Sequence, residues 1–81
     1  MKIKDSTPFK SHLAACERYF KKKNVFGMTN GSPLIDAQTV EQHAQEIYNS
    51  LTGCGLTYSH AVIIGMIVWE QLQIERDSKT L

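Results

Sequence analysis

SHAVIIGMIVWEQL, from Ser59 to Leu72, contains nine consecutive residues, Ala61 to Trp69, with neither a charge nor a polar side chain. Wound as a helix, the stretch carries three apolar stripes. Ala61, Ile64, Gly65, Val68 and Leu72 form one, Ile63, Ile67 and Ile74 a second, and Val62, Met66 and Trp69 a third. Together they nearly encircle the first three turns, and a helix that is apolar all round is expected to be buried all round. The run is too short to span a membrane, which takes roughly 18–20 apolar residues. Its cover must therefore come from the rest of a chain of 81 residues or from another molecule.

Working outward, Thr57 marks the start of this third helix and Leu56 precedes the cap, giving a helix over 58–76 of about 30 Å. A second helix is expected over 37–51. Asp36 suits the N-cap, Ile35 and Val40 occupy the two positions of a hydrophobic staple, and Gly53 ends the helix. Its apolar stripe is narrow: Val40, Ala44, Ile47 and Leu51. Gln38, Glu41, Gln42, Gln45, Glu46 and Asn49 are left for water. The first helix is expected over 8–22, with Thr7 as N-cap, Pro8 in the first turn and Phe9, Leu13, Cys16 and Phe20 on one face. Lys21, Lys22 and Lys23 crowd its carboxyl end, where cations are favoured.

Between the first two helices, NVFGMTNGSPLI (24–35) contains too many breakers for a helix. It reads as an ordered loop that places Phe26 and Met28 against the helices. A short hairpin pairing Val25-Phe26 with Leu34-Ile35 around Asn30-Gly31 is the alternative. The expected fold is all-α: one domain over 1–81, a small three-helix bundle with this structured loop and a central hydrophobic third helix. A chain this short buries only about 60–65% of its unfolded surface, so its core is thin.

The net charge of +1 conceals an asymmetry. Residues 1–23 have a balance of +5 and residues 24–81 a balance of −4. The two parts can attract one another within the fold or between two copies. Met1 to Asp5 is charged and polar with no apolar region after it, which argues against a secretory signal. Two cysteines, Cys16 and Cys54, make no disulfide framework. The expected location is the cytoplasm, with reduced thiols.

Candidate sites follow from the polar residues. His12 and Cys16, four apart on a helix, together with Cys54 and His60 make up a Cys₂His₂ set. No Cys-x₂-Cys pair accompanies them, and Cys16 lies on the apolar stripe, so no metal or cofactor is expected. Lys10, Arg18, Lys21, Lys22 and Lys23, interleaved with Tyr19, Phe20 and Phe26, have the composition of a nucleic-acid surface. The small net charge weighs against a dedicated binder. A helix-turn-helix would need polar side chains at the start of the third helix, which offers only Ser59 and His60. No nucleophile, base and orienting group fall in a local arrangement, and no phosphate loop is present, so no catalysis is expected.

What remains is protein binding. Ala61 and Gly65, four apart, permit a close helix approach, either by a neighbour in the fold or by a second copy. The expected function is that of an adaptor, regulator or inhibitor: a homodimer whose contact is formed or bordered by Ala61, Val62, Gly65, Met66 and Trp69. Glu41, Gln42, Gln45 and Glu46 are then free for an unidentified protein partner. A nucleic-acid-binding accessory role for the basic residues is the alternative.

Overall fold

Two of the three helices are opened by side chains that the sequence names directly. In the computed structural model, which describes residues 1–28, 31, 33–53 and 55–79 (the side chain of residue 79 excepted), the Asp36 carboxylate accepts from Gln38 N–H at 3.0 Å. Thr57 Oγ1 accepts from His60 N–H at 3.1 Å. These caps satisfy amides that have no partner within the helix. The protein is mostly helical, with α1 (Thr7–Phe20), β1 (Val25–Phe26), β2 (Ile35–Asp36), α2 (Ala37–Thr52) and α3 (Tyr58–Lys79) in order. Among the described residues no helix is long and apolar enough to cross a membrane.

The chain divides into two compact units, 1–48 and 49–81. In the first, a 3-10 turn at Ile3–Asp5 leads into α1. The cap of α1 is Ser6 rather than Thr7. Ser6 Oγ accepts from Phe9 N–H at 3.3 Å and donates to the Ile3 carbonyl at 2.7 Å, and the residue is only 8% exposed. The preceding turn decides the register, because it leaves Ser6 extended beside two groups that its hydroxyl can serve.

At its other end α1 stops at Phe20, two residues short of the expected boundary, because Lys21 turns left-handed at φ 55°. Asn24 does the same at φ 57°, a conformation that asparagine tolerates better than most residues. Its N–H donates to Glu17 Oε2 at 2.7 Å, fastening the turn back onto the helix. Lys21–Lys23 therefore lie in a turn, beyond the helix.

Within 24–36, β1 and β2 pair as a short two-stranded sheet, as in the hairpin alternative expected for this stretch. The strands β1 and β2 are antiparallel, with Val25 opposite Asp36 and Phe26 opposite Ile35. The pairing is one residue later than Leu34-Ile35, since the ladder runs into the start of α2, where Ala37 N–H donates to the Asn24 carbonyl at 2.8 Å. Gly31 has φ +86°, while Asn30, the other residue of the expected turn, lies outside the described residues. The hairpin rests on α1 through Phe26, whose ring stands 5.3 Å from that of Phe9.

In the second unit, the last residues of α2 precede α3. A Cβ added at Gly65 would lie 4.0 Å from Leu51 Cδ1, so the side chain of Leu51 stands over the small-residue edge of α3.

Candidate functional site

The 1–48 unit is built around a groove rather than a closed core. Phe9, His12 and Cys16 of α1 face it from one side, and Val40, Ala44 and Tyr48 of α2 line it from another, at the i, i+4, i+8 spacing of one helix face. Phe26, Gly27 and Met28 extend the lining, with Met28 about half exposed. The groove encloses about 810 Å³. Among the described residues no large side chain is fully buried, and Ala37 and Ser6 are the ones that leave the solvent almost completely.

Its walls are fixed by specific contacts. Cys16 Sγ donates to the Gly27 carbonyl at 3.7 Å. A Cβ at Gly27 would come within 2.5 Å of Leu34 Cδ2 and 2.9 Å of Phe20 Cε2, so the ends of these two side chains pack over the glycine. The rim formed by Met1 and Ile3 is held by Gln45. Its Oε1 accepts from Ile3 N–H at 2.7 Å, and its Nε2 donates to the Met1 carbonyl at 3.1 Å.

These contacts redraw the faces of α2. Gln45 is half-buried and engaged with the N-terminal segment, and Tyr48 rather than Ile47 belongs to the lining. Ile47, expected on the inner stripe, is 62% exposed. Gln42 and Glu46 are exposed and Glu41 half-exposed, with Glu46 Oε2 4.0 Å from His43 Nδ1.

The 49–81 unit carries the second feature. Nine large apolar side chains of α3, at positions 62–64, 66–69, 72 and 74, are between 39 and 63% exposed. Of the five residues expected at a dimer contact, Val62, Met66 and Trp69 are open to solvent, while Ala61 and Gly65 are half-covered.

The basic residues form a smaller cluster. Arg18, Lys21, Lys22 and Lys23 line a shallow depression of about 340 Å³, but Glu17 sits in it as well and Lys10 is not part of its lining. His12 and Cys16 face the groove, and His60 is exposed at the start of α3. Cys54, the fourth member of the Cys₂His₂ set, lies outside the described residues. Among the described residues no three His, Cys, Asp or Glu side chains are grouped to hold a metal ion.

The roles of Ser6, Gln45 and Tyr48 escape sequence reasoning. Ser6 stands next to an equally good cap. The partners of Gln45 lie more than forty positions away, and Tyr48 is flanked by the more apolar Ile47. No protein-family model, curated protein or solved structure matches this chain.

Proposed function

We propose that the protein acts in the cytoplasm by binding other proteins, as an adaptor, regulator or inhibitor, and that it does so as a homodimer joined through α3. The observation that supports this is the set of nine half-exposed apolar side chains on one helix. Fully burying an aliphatic side chain contributes about 1.5–3 kcal/mol, so covering the exposed half of each contributes about 1 kcal/mol. The three side chains at the centre of the contact, on two copies, gain on the order of 6 kcal/mol, within the range of about 4–15 kcal/mol that association costs in lost freedom.

Val62, Met66 and Trp69 form the centre of the contact, with Ala61 and Gly65 at its border. Tryptophan in a desolvated position is a characteristic interface anchor. The face of α2 bearing Glu41, Gln42 and Glu46, with Gln45 as its structural member, is left for the partner protein.

Light scattering on the wild type and on Met66→Glu tests this. The wild type is expected at twice the chain mass, and the variant at the single-chain mass with its helical circular dichroism retained. A wild-type monomer, or a variant that remains dimeric, would refute it.

A further inference from the structure

We propose that the basic depression at the end of α1 binds the phosphate backbone of a single nucleic-acid strand. The depression lies wholly within the 1–48 unit, so the proposal stands apart from the dimer reading above and goes beyond it. Its lining is Ala14, Glu17, Arg18, Lys21, Lys22 and Lys23, where four cations less one carboxylate leave a balance of +3. Among the described residues none of the four cations takes part in an ion pair.

The turn after α1 builds this cluster. In a continued helix, at ~100° per residue, Lys23 would stand ~140° around from Arg18. Lys21 and Asn24 instead take left-handed backbone angles, φ 55° and 57°, and Lys23 comes to line the same depression as Arg18. Glu17 holds that turn, because its Oε2 accepts from Asn24 N–H at 2.7 Å. The one acid of the depression is therefore a positioning residue for the lysines around it.

Charge alone does not choose among polyanions, but two features favour a nucleic-acid strand. The lining holds no large apolar side chain of the kind that anchors a basic surface in a membrane. Tyr19, the residue after Arg18, is 63% exposed, and its ring is braced edge-on at 4.8 Å from that of Phe20. An open, braced ring beside a basic track is a platform on which an unpaired base stacks while its phosphates follow the cations. An acidic peptide has no base to offer, and a duplex keeps its bases inside.

Fluorescence anisotropy of a labelled oligodeoxythymidylate of about fifteen nucleotides, titrated with the full chain, tests the assignment. With a phosphate at each of the four cations, log K falls with log salt at a slope of about −2.8, so affinity drops ~50-fold between about 50 and 200 mM. Lys21→Gln with Lys23→Gln should halve that slope. Lys2→Gln with Lys4→Gln, outside the depression, should leave it unchanged. Glu17→Gln keeps an acceptor for Asn24 N–H and removes the repelling charge. Binding should tighten about fourfold, the effect of a carboxylate ~5 Å from a phosphate in water. Tyr19→Leu should weaken binding at least ~5-fold. No binding at about 50 mM salt, or a slope that survives the loss of Lys21 and Lys23, overturns the proposal. An equal loss from Lys2 and Lys4 overturns it too. Polyglutamate competing as well as the unlabelled strand would reassign the surface to an acidic protein, and undiminished binding by Tyr19→Leu would rule out the single strand.

Discussion

Replacing Gly65 with alanine should make the protein more stable. Inside a helix, glycine costs about 1 kcal/mol relative to alanine, because its backbone loses more freedom on folding. The usual reason to tolerate that cost is a neighbour too close for a methyl group. Here, among the described residues, the new Cβ would find Leu51 Cδ1 at 4.0 Å and no other neighbour within that distance, an ordinary van der Waals separation. No steric term offsets the gain, so Gly65→Ala is expected to add about 0.5–1 kcal/mol. For a chain of this size, 1 kcal/mol shifts the thermal midpoint by about 4–8 °C. The midpoint should therefore rise by roughly 2–8 °C in a far-ultraviolet circular dichroism melt at matched protein concentration. A fall of similar size would refute the reasoning. It would mean that a second backbone approaches the Ala61–Gly65 edge more closely than Leu51 does, moving this edge from the border of the dimer contact to its centre.

Two further outcomes follow from single contacts in the first unit. Ser6→Ala removes the acceptor for Phe9 N–H from a buried position, and urea unfolding should show a loss of about 1 kcal/mol. An unchanged midpoint would mean that Ser6 is not the effective cap. Gly27→Ala forces a methyl group against Leu34 and Phe20 and should cost about 1–3 kcal/mol in the same assay, whereas a neutral result would show that the hairpin can move off α1 freely.

The legible parts of this fold are those whose cause lies within four residues. Asp36 and Thr57 each serve an amide two or three positions on, so their helices begin where the caps stand. The same local logic is ambiguous at Ser6 and Thr7, two good caps side by side. A turn three residues upstream decides between them, and it leaves no strong mark in the sequence. The hairpin was visible as an option in Val25-Phe26, but its register depends on how β2 enters α2. Less of the candidate site was legible. The apolar girdle of α3 is plain in the sequence, whereas the groove is made by the approach of Phe9 to Phe26 and of Gln45 to Met1 and Ile3. Those meetings are set by tertiary geometry, to which periodicity is blind.

The Gln45 contact has a consequence of its own. A carboxamide sets an acceptor oxygen beside a donor nitrogen, the same two kinds of group that a peptide unit presents to a neighbouring strand. By taking Ile3 N–H and giving to the Met1 carbonyl, Gln45 acts as a single detached rung of a β-ladder mounted on a helix. Glutamate at this position would keep the acceptor and lose the donor, turning a two-point clasp into a pivot. The wall formed by the first three residues is thus latched as well as packed, and a change of one side-chain atom is enough to free one end of it.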